Sequence, residues 1–288
     1  MNNKKIIWLA SYPKSGNTWF RVFLSNLLSN DDKPADINNL YNTPIASSRQ
    51  IFDDLTGLSS SELTYDEIEN LRPEVYKQIA IEAEDIIYQK IHDAYHLTSK
   101  GNFLIPTEYS KGIIYFVRNP LDVAISFAHH SNCSIAKSIT NMSNANYSFC
   151  AKNDKLQNQL VQKLDTWSNH VESWLNQKNI PVYLMRYEDM ISDTFNTFKK
   201  AADFIGIKAS DEQIQKAIKH SSIDELQKQE RVNGFKEKSQ NSESFFRKGE
   251  VNNWKDILSK EQINDIINKN SEVMKRLGYL DSNNNLLL

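Results

Sequence analysis

Between Ile6 and Leu28 the chain passes from an apolar run through YPKSGNTW into a helix-period run, and few architectures accommodate that succession. Ile6, Ile7, Trp8, Leu9 and Ala10 are continuously apolar, with β-branched and aromatic members, which predicts a short buried strand of the parallel kind. Ser11 to Thr18 is then the turn. Trp19, Phe20, Phe23, Leu24, Leu27 and Leu28 recur at the three and four spacing of a helix that lays one face on a core. A strand, a tight loop containing Pro13 and Gly16, and a helix whose first N–H groups point back at the loop together form an anion site. The orphan donors and the positive end of the helix dipole favour a phosphate or sulfate there. Lys14 adds a full charge. The loop is not a Walker A sequence, which places two glycines ahead of its lysine; here Lys14 precedes the loop's one glycine.

A second strand, turn and helix follow. Ile113, Ile114, Tyr115, Phe116 and Val117 predict a strand with Arg118 at its carboxyl end, and Asn119 and Pro120 supply an N-cap and a preferred first helical residue. Val123, Ile125, Phe127 and Ala128 fill the helix behind them. Pro181 to Met185 predicts a third buried strand, followed by RYEDM. Such repetition predicts an α/β fold with a parallel sheet flanked by helices, whose ligands bind at strand carboxyl ends.

The segments between are less decisive. Asn30 to Ser61 is polar and turn-rich and reads as a surface excursion; Thr64 with Glu67 is a capping box opening a helix that Pro73 interrupts or restarts. QKIHDAY fits a strand ending at His92 or a helix. Ser131 to Asp154, rich in Ser and Asn, reads as a mobile loop, and Leu156 to Leu175 as one long amphipathic helix. Capping boxes at Ser210 and Gln213, Ser222 and Glu225, and Ser259 and Gln262 mark three further helix starts. No repeat or linker divides the chain, so one domain over 1–288 is expected.

A net charge of −2 gives no global field for nucleic acid or an anionic membrane, so anion affinity must be local and site-like. Cys133 and Cys150 make no disulfide framework and no metal-ligand spacing. The apolar run after Lys4 and Lys5 is too short for a signal core or a membrane span, so a soluble, cytoplasmic protein is expected.

The octapeptide YPKSGNTW resembles the 5′-phosphosulfate-binding loop of sulfotransferases that use 3′-phosphoadenosine 5′-phosphosulfate (PAPS). By that resemblance Lys14, Ser15, Gly16, Asn17 and Thr18 hold the phosphosulfate, and Trp19 stacks on the base. IIYFVRNPLDVAISFAHH resembles the family's 3′-phosphate segment, including Arg-Asn-Pro and Asp-Val-Ala-x-Ser, which implies that Arg118 and Ser126 bind the 3′-phosphate. FFRKGEVNNWK resembles the family's Arg-Lys-Gly-x-x-Gly-Asp-Trp-Lys stretch, so Arg247, Lys248 and Gly249 would close over that phosphate. Asn252 and Asn253 stand where the family usually has Gly and Asp. Tyr187 in RYEDM and Ser221 in HSSIDEL match positions that contact the adenine and its ribose. The resemblance runs from Ile6 to about Lys255.

The family carries Lys-Thr-His where this chain has Lys90, Ile91 and His92, which implies that Lys90 and His92 belong to the catalytic machinery and that His92 takes the acceptor's proton. An unperturbed imidazole pKa of about 6.5 suits that task. Charge growing on the departing bisphosphate would fall to Lys14, the loop N–H groups and the helix dipole. No metal is expected, since a sulfuryl group carries less charge than a nucleotide's γ-phosphate. The co-substrate is therefore PAPS, and the partner a small-molecule acceptor with a hydroxyl or an amine, with no nucleic acid and no membrane span. The acceptor's identity and the oligomeric state stay open. Two other readings share the loop. A P-loop-type kinase would carry a lysine after a second glycine and a carboxylate for Mg²⁺, and a non-catalytic nucleotide-binding module would keep the pocket without turnover.

Overall fold

The computed structural model describes residues 4–151, 156–238 and 243–287. In chain order its elements are β1 (Ile6–Ser11), α1 (Asn17–Ser29), α2 (Arg49–Thr56), α3 (Tyr65–Glu82), β2 (Ile87–Ile91), β3 (Ser110–Val117), α4 (Pro120–Ser131), α5 (Ile135–Met142), β4 (Ser148–Phe149), β5 (Gln162–Lys163), α6 (Trp167–Asn176), β6 (Val182–Arg186), α7 (Tyr187–Ser192), α8 (Thr194–Phe204), α9 (Asp211–His220), α10 (Ile223–Asn233), α11 (Trp254–Ile257) and α12 (Lys260–Arg276). The fold is α/β, with a parallel four-stranded sheet in the order β2-β1-β3-β6. β1 pairs with β2 from Ile6 opposite Ile87 to Ala10 opposite Ile91. The unbroken apolar run of β1 is explained by burial of every residue in it.

The chain forms two compact units, each assembled from three separate stretches. The first holds the chain up to Tyr12, Asn42–Tyr115 and Ala145–Leu184; the second holds Pro13–Tyr41, Phe116–Asn144 and the chain from Met185 onward. In the first unit, α3 sets Tyr76 edge-on against Trp8 of β1 at 5.1 Å between ring centres. The Trp8 indole donates to Ser110 at 2.8 Å. α3 runs unbroken through Pro73, contrary to the interruption expected there. Buried contacts on both sides of the proline anchor the helix: Arg72 forks onto Asp93 at 2.6 and 2.9 Å and donates from Nε to Tyr76 at 2.8 Å. The long helix expected from Leu156 starts only at Trp167. The leucines ahead of it serve a different structure, with Leu160 donating its N–H to Ser47 and Gln162–Lys163 pairing antiparallel with β4. QKIHDAY resolves as the end of a strand, with His92 the first residue past β2.

In the second unit, α1 packs Phe20 and Phe23 on Phe198 of α8, with ring centres 5.4 and 4.5 Å apart. The stretch read as a mobile loop contains α5, whose polar sequence hides a buried face of Ser138, Ile139, Asn141 and Met142. Ser138 satisfies its hydroxyl on the Ala124 carbonyl at 2.8 Å, so a helix face reads as polar and is still packed. Residues 152–154 of that stretch lie outside the described residues. Three of the four capping boxes form in full, those at Thr64, Ser210 and Ser259. At Ser222 only the serine half does, because Glu225 accepts from Gln229 instead. Among the described residues no helix is long and apolar enough to cross a membrane.

Candidate active site

The loop between β1 and α1 is built from backbone that few residues adopt. Lys14 has φ +70° and Gly16 φ +100°, both in the left-handed region. At Gly16 a side chain is barred twice, since a Cβ there would lie 2.8 Å from the Tyr187 ring and 3.1 Å from the Met190 sulfur. α1 opens with no side-chain cap and no acidic residue in its first turn, so no carboxylate of that turn offsets the positive end of its dipole. Ser15 is 1% exposed, and its hydroxyl has no hydrogen-bond partner among the described residues. A buried hydroxyl beside a helix N-terminus is the donor set an oxyanion satisfies.

Arg118 leaves β3 with its guanidinium 4.2 Å from the centre of the Tyr187 ring. It donates to the Glu250 carbonyl at 2.9 Å, lies 3.8 Å from Asp122, and has a buried Nε without a partner among the described residues. Burial, and then the nearby Arg118 cation, hold Arg247 below the ordinary guanidinium range. Arg247 makes no ion pair with a carboxylate among the described residues, although its carbonyl accepts from Gln227. Two neighbouring cations, of which only Arg118 has a carboxylate within 4 Å among the described residues, favour an anion beside them.

The turn after Arg247 is pinned from α4. Both oxygens of the buried Asp122 accept backbone N–H groups, Asn252 at 2.8 Å and Trp254 at 3.2 Å. Asn252 has φ +65°, a conformation that asparagine tolerates better than most residues, so it supplies the turn that glycine gives elsewhere. Its side chain also accepts from the Trp254 indole at 3.2 Å. Gly249, at φ +63°, faces Ile223, which a Cβ would approach to 3.3 Å. Lys248 is exposed and reaches Asn253 at 3.4 Å and Glu250 at 3.8 Å.

Aromatic rings line the same unit. Trp19 donates from its indole to the Ser221 carbonyl at 2.9 Å and sits edge-on to Phe198 and Tyr187, at 5.2 and 6.3 Å between centres. The Lys14 ammonium stands 3.8 Å above the Phe245 ring. Phe245 and Phe246 are placed by Glu230, whose two oxygens accept their N–H groups at 2.7 and 3.0 Å. Glu188, next to Tyr187, accepts from Asn119 N–H and the Tyr279 hydroxyl, each at 2.9 Å, and burial pushes its carboxyl up. Ser126 is half-buried on α4.

The remaining pair lies in the first unit. Lys90 is buried in β2, opposite Leu9. His92 follows the strand end, with Nδ1 2.8 Å from the Ser11 carbonyl and 3.2 Å from the Ser11 hydroxyl. A carbonyl only accepts, so Nδ1 carries the proton and the neutral ring keeps its basic lone pair on Nε2. Phe149 stands edge-on to the imidazole at 6.4 Å between centres.

Within the second unit the structure brings together the loop from Lys14 to Trp19 with Arg118, Tyr187, Ser221 and the segment Arg247–Gly249. Sequence reasoning did not single out Phe245, Glu230, Glu188 or the pinning role of Asp122. Phe245 stood next to the recognised Arg-Lys-Gly, and Asp122 inside the recognised Asp-Val-Ala-x-Ser. Among the described residues no group of three or more His, Cys, Asp or Glu side chains is arranged to hold a metal ion.

The chain is 28% identical over 176 residues to sulfotransferase 2A1 of Rattus norvegicus, a match covering 59% of this chain and 58% of that protein. It is 28% identical over 163 residues to an amine sulfotransferase of Oryctolagus cuniculus, covering 52% and 50%. The chain thus aligns with between 50% and 58% of the length of these relatives. Its fold is similar to that of a retinol dehydratase crystallised with androsterone and the inactive cofactor PAP, with a TM-score of 0.61 and 17% identity over 96% of this chain and 82% of that one. The family model of the sulfotransferase domain matches residues 4–278, and the chain belongs to that family.

Proposed function

We propose that this protein transfers a sulfuryl group from PAPS to a hydroxyl or amine of a small organic acceptor. One observation carries the reading. The Tyr187 ring lies against Gly16 of the anion loop and also under the Arg118 guanidinium, so one side chain ties together two separate anion sites, as a nucleotide phosphorylated at both ends requires. The orphan Ser15 hydroxyl and the Arg118–Arg247 pair fit such a ligand. In this reading the loop from Lys14 to Thr18 holds the 5′-phosphosulfate. Arg118, Ser126, Arg247, Lys248 and Gly249 hold the 3′-phosphate, and Trp19, Tyr187 and Ser221 hold the nucleoside.

The chemistry then follows from charge. The acceptor oxygen or nitrogen forms a bond to sulfur as the bond from sulfur to the bridging oxygen breaks, and that electron pair passes to the leaving 3′,5′-bisphosphoadenosine. Lys14 and the first N–H groups of α1 stabilise the growing charge, and removing one such donor typically costs about a hundredfold to a thousandfold in turnover. The acceptor's proton goes to Nε2 of His92, whose tautomer the Ser11 carbonyl fixes. Lys90, buried in β2 two residues ahead of His92, belongs with it in this reading. The relatives' names point to different acceptors, so a hydroxyl and an amine are both retained.

Calorimetric titration tests the donor site. The protein is expected to bind 3′,5′-bisphosphoadenosine at least about thirtyfold more tightly than adenosine 5′-monophosphate, two charge-assisted hydrogen bonds being worth about 2 kcal/mol or more. Arg118→Ala should remove most of that preference while leaving the monophosphate nearly unchanged. Equal affinity of the wild type for the two nucleotides would overturn the assignment.

A further inference from the structure

β2 ends at Ile91, so the sheet ladder does not hold the backbone of His92. Its carbonyl nonetheless has a buried partner from another element. His170 of α6 is 0% exposed and places Nε2 3.0 Å from the His92 carbonyl oxygen. Since that oxygen only accepts, Nε2 of His170 carries the proton. Nδ1 is then an acceptor, and the Tyr115 hydroxyl, 2.8 Å away, donates to it. The ring is wedged between two others, tilted on Tyr115 at 5.8 Å and edge-on to Tyr12 at 5.4 Å. The next residue is clamped as firmly, with the Asp93 carboxylate forked by Arg72 and its carbonyl accepting from the Trp174 indole at 3.0 Å.

We propose that His170 is a positioning residue for the reaction: held as one neutral tautomer by Tyr115, it fixes the backbone of His92 where the sheet no longer does, and so sets where the His92 ring stands. The inference rests on the reading of His92 as the base. Burial pushes the His170 imidazole down to about 4, despite opposing contributions from the His92 carbonyl, Asp93 and Asp165, so the tautomer persists at working pH. The ring of His92 is tied to the Ser11 carbonyl and its backbone to His170, and the two anchors fix opposite ends of one residue. Losing the His170 anchor loosens the placement of the imidazole, and a displacement of about 1 Å in a reacting group costs on the order of a hundredfold.

The test compares two acceptors. His170→Phe keeps an aromatic ring, slightly larger than imidazole, and loses both hydrogen bonds. With an aliphatic alcohol it should lower kcat by about tenfold to a hundredfold. With a nitrophenol above its own pKa, whose proton is already gone, the loss should stay under about threefold. Bisphosphate affinity should not change. His170→Gln, whose amide N–H replaces Nε2–H, should recover part of the alcohol activity. Tyr115→Phe, the milder change should His170→Phe fold poorly, should show the same acceptor dependence in smaller degree. Heteronuclear NMR of wild-type histidine nitrogens should find His170 neutral with Nε2 protonated from pH 5 to 8.

Equal losses on both acceptors, no loss on either, or an imidazolium His170 across that range would overturn the inference. His92→Ala run in parallel separates the two ideas. If it shows no acceptor dependence, the base assignment falls and the inference with it. If it does and His170→Phe does not, only the inference falls.

Discussion

Gly16→Ala puts the smallest possible side chain at the centre of the anion loop. The backbone there sits at φ +100°, and the new Cβ would lie 2.8 Å from Cδ2 of Tyr187 and 3.1 Å from the Met190 sulfur. Left-handed backbone costs a residue with a Cβ about 1–2 kcal/mol, and overpacking a filled site adds about 1–3 kcal/mol. The expected loss is therefore about 2–5 kcal/mol, read as a fall in the urea midpoint. Function should suffer through the same contact, because the displaced Tyr187 ring also supports Arg118. If about 2 kcal/mol of strain remains in the bound state, 3′,5′-bisphosphoadenosine binding weakens by about thirtyfold. A double-mutant cycle with Tyr187→Leu separates the two causes, since removing the ring edge should recover the steric share and leave the backbone share. A Gly16→Ala protein that unfolds at the wild-type urea concentration and binds the bisphosphate within twofold would refute this account of the loop. Strict additivity in the cycle would show that the Tyr187 contact plays no part.

Three further outcomes are expected. Asp122→Asn leaves one amide oxygen where two carboxylate oxygens accept the Asn252 and Trp254 N–H groups. Loss of a charged acceptor of about 1.5–3 kcal/mol should weaken the bisphosphate by at least about tenfold while sparing the monophosphate, as calorimetry would report. Phe245→Leu removes the aromatic face under the Lys14 ammonium, a contact worth about 0.5–2 kcal/mol. Steady-state kinetics should show kcat reduced by about twofold to thirtyfold, and an unchanged kcat would show the contact to be incidental. Stability should also depend on pH through His170. Its folded pKa, about 4, lies below the unfolded value near 6.5, so the unfolded chain binds the extra proton and stability falls as pH drops through that window. His170→Phe should remove up to about 1.4 kcal/mol per pH unit of that slope, measured by urea unfolding at a series of pH values.

The strands and the anion loop were legible because local pattern and burial coincide there. The apolar run Ile6–Ala10 is wholly buried, and Asn119–Pro120 starts a helix where the capping rules place one. Pattern failed where a polar side chain is satisfied inside. Ser138 hid α5 by bonding the Ala124 carbonyl, and of the leucines at helical spacing Leu160 and Leu164 are buried by loop and strand packing while Leu156 is exposed. Pro73 was misjudged because the buried Arg72–Asp93 pair, far apart in sequence, holds α3 together. At the candidate site, charged and glycine residues announced themselves through their motifs. Glu230, Glu188 and His170 did not, since each acts on the backbone of another segment and one sequence carries no trace of that pairing.

The central claim, sulfuryl transfer from a doubly phosphorylated donor, is tested most directly by incubating the protein with isotopically labelled PAPS and a panel of hydroxyl and amine acceptors. Products are followed by mass spectrometry, with Lys14→Ala and His92→Ala as controls. The account predicts labelled sulfuryl on at least one organic acceptor, one 3′,5′-bisphosphoadenosine released for each product, and turnover lost in both variants. A protein that binds the bisphosphate but labels no acceptor, or one whose His92→Ala variant labels an aliphatic alcohol at the wild-type rate, would contradict it.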